Sequence, residues 1–315
     1  GDVDGLNLFR FSRNAPTSWV DPFGASPFNL SDVLDDLSKR GDPVEAIGLE
    51  NITRLNPHFG GTLAVALSAS RKGLAFARTK INLAISPFAN TAHREKLLRH
   101  FRTESEASHD TDSDILNLLS NPIGKLASYL ENWDDARMIM VGGDREHLQM
   151  AWQYTNDPEQ HIFMREGIVH ESVHRAAWNI LHESSHTALG TKDFWYINTP
   201  GATSADAQGT ASYSGRIGIL AELQRLQFRN DTMIWDGPDV AVFDRAAFKD
   251  DALQRTRIAL ENADSIALLV SSINLQFNGP MARLAVLDEH SSSIPALDLA
   301  TTKVSSRIEL RRLSL

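Results

Sequence analysis

The chain contains no cysteine. No disulfide can assist its folding or hinder its unfolding, so the fold has to rest on an apolar core. Long apolar runs are missing as well. No stretch approaches the roughly 18 uninterrupted apolar residues that mark a membrane-spanning helix, and no signal-peptide pattern opens the sequence. There is no excess of positive charge either: the formal net charge of -9 argues against nucleic acid as the main partner, because phosphate binding takes a basic face. An initiator methionine is absent too, and the expectation is a piece of a longer polypeptide. What is present is 315 residues, 42% of them hydrophobic, enough to bury one large core or two modest ones.

The most informative stretch is His182-Glu183-Ser184-Ser185-His186, followed by Gly190-Thr191-Lys192-Asp193-Phe194-Trp195-Tyr196. On a helix, residues four apart share a face at about 100° per residue, so the two imidazoles can grip one metal ion. Glu183 then lies beside a metal-bound water. Zinc brings the pKa of such a water to roughly 7, and a carboxylate that takes its proton leaves a nucleophile for a carbonyl polarised by the same ion. A catalytic zinc usually has three protein ligands and one open position. Asp193, seven residues beyond His186 and past the helix-ending Gly190, is the nearest candidate for the third. Tyr196 either donates a hydrogen bond to a developing oxyanion or belongs to a core with Phe194 and Trp195.

A second HExxH, His170-Glu171-Ser172-Val173-His174, lies twelve residues upstream. Its setting differs. It follows the apolar segments Ile162-Phe163-Met164 and Ile168-Val169, which suit a strand or a strand-to-helix junction, and no Gly-Thr-x-Asp follows it closely. The downstream motif sits among Ala176, Ala177, Trp178, Ile180 and Leu181, a broad apolar flank for a helix. On one continuous helix the two histidine pairs would point about 120° apart and could not share a metal. A capping or surface role is expected for the upstream pair.

These residues resemble the aspzincins, deuterolysin-like and lysine-specific metalloendopeptidases whose signature is HExxH followed by Gly-Thr-x-Asp-x-x-Tyr-Gly. Every position but the last matches, Ile197 standing where the family usually has Gly. The resemblance implies Zn2+ held by His182, His186 and Asp193, with Glu183 as general base and Tyr196 as the oxyanion-side donor. A weaker echo is Asn262-Ala263-Asp264-Ser265-Ile266-Ala267, similar to a stretch near the end of these domains. Secreted fungal relatives are usually disulfide-bonded, which this chain cannot be. The lysine-specific branch implies an acidic pocket for a substrate ammonium. Asp206 and Asp236 are the candidates, with Asp231 and Asp239 nearby, and the alternative is that these acids are solvated loop residues.

The N-terminus carries Asp4-Gly5-Leu6-Asn7-Leu8-Phe9-Arg10-Phe11, then Arg13-Asn14-Ala15-Pro16 and Asp21-Pro22-Phe23-Gly24. Asn-x-Pro and Asp-Pro form turns, and the alternation between them suits short strands. This stretch resembles the closing segment of the Rhs repeat core, pattern DGLNLYRYxRNxPxxxxDPxG, also found in C subunits of insecticidal toxin complexes. That resemblance implies a β-cocoon enclosing a variable C-terminal toxin, cut from the core just after DPxG, often through aspartates near the cut. Here Ala25 follows where the family usually has Leu, and Asp21 either takes part in cutting or begins an Asp-Pro turn.

The expected organisation is the end of an Rhs core over 1–24, a linker with one short helix over 25–60, a zinc metallopeptidase domain over 61–280 and a tail over 281–315. Helices are expected over Thr62 to Ala84, Thr91 to Arg102, Ile115 to Asn132, Arg216 to Phe228 and Arg245 to Leu275. Strands are expected at Arg137 to Val141 and His161 to Val169, a polar exposed loop at Thr103 to Asp114, and a mobile or connecting loop at Asn198 to Gly215. The result is a helix-rich α+β fold, with a small sheet of the kind that supports a zincin active-site helix.

The leading expectation is a zinc endopeptidase toxin domain, a secreted or delivered effector acting on proteins inside a target cell. An encapsulating Rhs core and a cognate immunity protein are the partners the resemblance implies. Two other readings stay open: an inactive zinc-binding module, and a zinc hydrolase acting on a non-peptide amide or ester.

Overall fold

The computed structural model describes residues 28–143, 151–154, 157–166, 173–194, 228–230, 233–234, 241–242 and 250–278. Helix α1 (Leu30–Lys39) leads into strand β1 (Val44–Ile47), and the short α2 (Leu49–Leu55) leads into α3 (Pro57–Ile85). Asn56 ends one and starts the other. Its side chain accepts from the Phe59 amide at 3.0 Å and Pro57 takes the first helical position, where a missing N–H costs nothing. Gly60 lets the two helices meet, because a Cβ there would collide with the Thr53 backbone. Then come α4 (Thr91–Leu98) and α5 (His109–Asn132), the latter capped by Ser108, which accepts from the Thr111 amide at 3.1 Å.

The core is built on α3, α5 and α6 (Val173–Leu189). Leu63, Ala66, Leu67, Leu74, Ala77 and Ile81 recur at spacings of three and four along α3 and are buried. They meet Ile115, Leu119, Ile123 and Leu126 of α5 and Ala176, Ala177, Ile180 and Leu181 of α6 in one apolar cluster. Ser70 crosses between helices, its hydroxyl lying 2.9 Å from the Ala66 carbonyl and 3.2 Å from that of Ala177.

Beside these helices lies a four-stranded sheet, ordered β1, β2 (Met138–Val141), β4 (Ile162–Arg165), β3 (Ala151–Trp152). The central pair runs parallel, and β1 and β3 flank it antiparallel. Every residue of β2 and β4 is buried, which explains why both read as apolar runs without polar alternation. Successive side chains go to opposite faces. Met138, Met140, Ile162 and Met164 join the helical core, while Ile139, Val141 and Phe163 pack with Leu37 of α1 and Trp152. At the end of β4, Arg165 donates to both carboxylate oxygens of Asp42 at 2.7 and 2.8 Å, a buried bidentate pair. A three-stranded antiparallel sheet of β5 (Phe228–Asn230), β6 (Met233–Ile234) and β7 (Ala241–Val242) follows, then α7 (Ala252–Leu260) and α8 (Ala263–Asn278).

The helix-rich α+β layout with a small sheet is thus present. Three segments differ from the sequence reading. Residues 25–60, read as a linker with one short helix, carry two helices, the start of α3 and a strand of the sheet from residue 30 on, and they bury Leu37, Leu49 and Ile52. The polar spacing hid a segment in which a few apolar residues point inward while Leu55 stays exposed. Thr103 to Asp114, read as an exposed loop, begins with a 3-10 turn (Glu104–Glu106) and is half taken up by α5. Arg255 of α7 explains the turn's place: it reaches both oxygens of Glu106 at 2.6 and 2.7 Å and the Phe101 carbonyl at 3.0 Å. Arg245 to Leu275, read as one helix, is broken at Glu261 and Asn262 into α7 and α8. The expectations for 1–24, Asn198 to Gly215 and 281–315 lie outside the described residues, as does the helix expected over Arg216 to Phe228 up to residue 227, while Phe228 itself opens strand β5. No helix among the described residues is long and apolar enough to cross a membrane.

Burial works to raise Glu106, but hydrogen bonds from Arg255 and from the amide and hydroxyl of Thr103 outweigh it and hold the carboxyl below its ordinary value. A carboxyl depressed on folding stabilises above its unfolded pKa, near 4.3, and that stability is lost as pH falls through the lower folded value. Arg255→Met should therefore cost about 2 kcal/mol at pH 7, the size of charged hydrogen bonds. The deficit against wild type in urea unfolding should shrink as pH drops from 6 towards 3. A deficit constant with pH would mean that the guanidinium acts by packing alone.

Candidate metal centre

The downstream motif occupies the last turns of α6, and Gly190 ends the helix. Gly190 has φ 70°, a left-handed conformation that glycine adopts without strain, and its amide donates to the His186 carbonyl at 2.9 Å. The chain turns back at this point. Lys192 then pairs with the segment before α8: its amide donates to the Glu261 carbonyl at 2.8 Å, and its carbonyl accepts from the Ala263 amide at 3.0 Å. The buried Asn262 completes the clasp by accepting from the Phe194 amide at 3.0 Å. Asp193 lies between these ties and is aimed at the helix.

Each imidazole is fixed through its Nδ1. His182 donates to Asp264 Oδ1 at 2.7 Å, and the indole N–H of Trp178 donates to the same oxygen at 3.2 Å. His186 donates to the Thr191 carbonyl at 2.8 Å. With both Nδ1 atoms donating, each Nε2 is the atom with a lone pair to offer. The two Nε2 atoms are 3.2 Å apart, and Asp193 Oδ1 lies 3.2 Å from that of His182 and 3.5 Å from that of His186. Ligand bonds of about 2.0–2.2 Å around a tetrahedral zinc give ligand-to-ligand edges of roughly 3.3–3.6 Å. The triangle of donors matches one face of such a tetrahedron.

Glu183 is buried on the same helix, with Oε1 4.0 Å from His182 Nε2. Its Oε2 is buried with no hydrogen-bond partner among the described residues. Burial pushes Glu183 up to about 8, against the pull of His182 and of a bond from the Gln153 backbone, with Asp193 and Asp264 adding to the rise. Burial acts to lower His182, yet the charges of Asp193 and Asp264 outweigh it and hold the imidazole well above its usual value. In the absence of a cation the cluster thus favours holding protons, and a divalent ion must displace them. The buried His182, Glu183 and His186 form a group that could hold a metal ion.

Of the residues singled out from sequence, His182, Glu183, His186 and Asp193 come together. Tyr196, Asp206, Asp236 and Asp21 lie outside the described residues, as do His170 and Glu171. His174 is exposed in the first turn of α6, away from the buried donors. Sequence reasoning assigned no role to Asp264, Trp178, Thr191 or Asn262. The echo at Asn262 to Ala267 was the available signal, since Asn262 holds the loop and Asp264 orients the first histidine. No protein-family model, no curated protein and no solved structure matches the chain.

Two outcomes follow for metal content. His182→Ala, His186→Ala and Asp193→Ala should each lower the stoichiometry of bound zinc measured after dialysis, and His174→Ala should not. Asp264→Ala should keep a metal site but weaken it about 10–100-fold, the usual effect of losing a partner that orients a ligand. Unchanged affinity in a chelator competition would show that Asp264 supports only the fold.

Proposed function

We propose that this chain carries a zinc-dependent endopeptidase of the aspzincin type, with a zincin-like arrangement of sheet and site helix. The observation that carries the reading is the triangle of His182 Nε2, His186 Nε2 and Asp193 Oδ1, spaced as one face of a zinc tetrahedron, with Glu183 buried beside it. Two nitrogens and one carboxylate oxygen suit zinc with one position left open. When bound, zinc supplies a Lewis acid for the scissile carbonyl and brings the pKa of a bound water to about 7. The chain's own residues do the rest. Asp264 and the Thr191 carbonyl hold the imidazoles in the tautomer that presents Nε2. Glu183 accepts the proton of the attacking water at its carboxylate and passes it to the leaving amine. The edge strand β3 and Gln153 run past this helix, with the Thr187 hydroxyl donating to Gln153 Oε1 at 2.6 Å. An extended peptide beside an edge strand is a common mode of recognition.

The wider role follows from the resemblance of residues 1–24 to the end of an Rhs core. We take the enzyme as a toxin domain that is delivered into a target cell and cuts proteins there, with a cognate immunity protein in the producer.

Glu183→Gln should leave zinc bound and abolish hydrolysis, because the amide keeps the size of the carboxylate and cannot take a proton. The measurement is the set of new protein N-termini in cells expressing the wild type against those expressing the variant. Activity of the variant within about tenfold of wild type would remove Glu183 as the base. Zinc bound with no new N-termini for the wild type would point instead to a binding module. Enrichment of Lys after the scissile bond, weakened by Asp206→Ala or Asp236→Ala, would place the enzyme on the lysine-specific side. Its absence would leave a general endopeptidase.

A further inference from the structure

On the described surface, an open bowl of about 1000 Å³ lies between α3, α5, the turn before β2 and the end of α6. Its lining shares only Thr187 and Ala188 with the metal-bearing helix, so it is not the metal centre. Arg78 enters from α3, Lys125 from α5 and Arg137 from the 3-10 turn Asp135–Arg137, three cations from three separate elements. Among the described residues none of the lining is acidic. In a chain of net charge -9, a concave surface whose described lining carries three positive side chains and no negative one runs against the overall composition.

The ordinary use for such cations would be to complement helix C-termini, since α5 ends at Asn132 and α6 at Leu189, both close to the bowl. Other groups already fill that role. Arg71 donates to the Leu130 carbonyl at 2.9 Å and to the Trp133 carbonyl at 2.7 Å, and the Gly190 amide closes α6 on His186. The side chains of Arg78, Lys125 and Arg137 form no hydrogen bond or ion pair among the described residues. Between them stand neutral donors, Asn121, Ser128 and Asn132. The Tyr129 hydroxyl lies buried at the lining with no well-formed hydrogen bond among the described residues, near Gln153 and Thr187.

We propose that this bowl binds a small polyanion, a molecule of nucleotide or citrate size bearing phosphate or several carboxylate groups. Arginine forks match both oxyanions in two-point fashion, and lysine adds a mobile charge. The volume is that of a small-ligand site. The site is independent of the metal centre and of the peptidase reading.

The test is calorimetric titration and thermal melting of the zinc-loaded protein with tripolyphosphate, with citrate and with a short glutamate-rich peptide, each at low and high salt. Wild type should bind tripolyphosphate or citrate in the millimolar range or tighter, with a higher Tm and weaker binding at high salt. The triple variant Arg78→Gln, Lys125→Gln, Arg137→Gln should melt like wild type without ligand and lose at least tenfold in affinity. Should that variant fail to fold, Arg78→Gln and Lys125→Gln, both at exposed positions, should each weaken binding at least threefold. Tripolyphosphate alone binding makes it a phosphate site, and citrate alone a polycarboxylate site. The proposal is overturned if neither binds, if only the peptide binds, or if the variants bind as well as wild type. A fall in Tm shared by wild type and variant, the mark of zinc being stripped, also counts against it.

Discussion

The hydrogen bond from His182 Nδ1 to Asp264 is the constraint on which the candidate metal centre depends. A neutral imidazole can offer only one nitrogen to a cation, and which one is set by what the other holds. Asp264 is in the first turn of α8, where its negative charge also meets the positive end of that helix. One carboxylate therefore docks α8 against α6, takes the Trp178 indole as a second donor, and turns His182 so that Nε2 faces His186. The two partners are 82 residues apart in the chain.

The same helix junction also delivers the third donor. The break at Glu261 and Asn262 exposes backbone groups that Lys192 binds, and the Asn262 side chain accepts from the Phe194 amide. Asp193 is consequently held on both sides by bonds to one rigid element. The positions of Asp193 and Asp264 are thus coupled, since both are anchored at the start of α8. Behind them, the Ser185 hydroxyl donates to the His182 carbonyl at 2.7 Å and lies 2.7 Å from the Thr191 hydroxyl, so even a serine of the motif braces the loop. That accounts for a serine with no solvent exposure inside an apolar helix flank.

Burial is common to the whole centre. His182, Glu183, His186, Asp193 and Asp264 are all nearly withdrawn from solvent. Unpaired, such a set of ionisable groups would cost several kcal/mol, and the cost is offset here by mutual pairing. Burial raises Glu183, and the charges of Asp193 and Asp264 raise His182. A cation between the donors would offset those two charges. Other ion pairs, such as Arg165 with Asp42 and Arg102 with Asp112 and Glu95, join opposite charges, and no other such group of potential metal donors is found among the described residues.

Local patterns were legible from the chain alone. The four-residue histidine spacing needs only helix geometry, and the stop at Gly190 needs only the absence of a Cβ. The apolar periodicity of α3 and α5 and the uninterrupted runs of β2 and β4 reflect burial of one face or of two. Proximity between distant segments was not legible. Asp264 lay inside an expected helix, marked only by the echo at Asn262 to Ala267, Glu106 looked like any surface glutamate and residues 25–60 like a linker, because charge and spacing carry no record of what lies opposite in the fold. Spacing named His182, His186 and Asp193 as candidates. Only the packing of α8 on α6 decided which imidazole nitrogen faces inward and brought the aspartate within 3.5 Å of both, because a hydrogen bond between residues 82 apart in sequence is made by the tertiary fold.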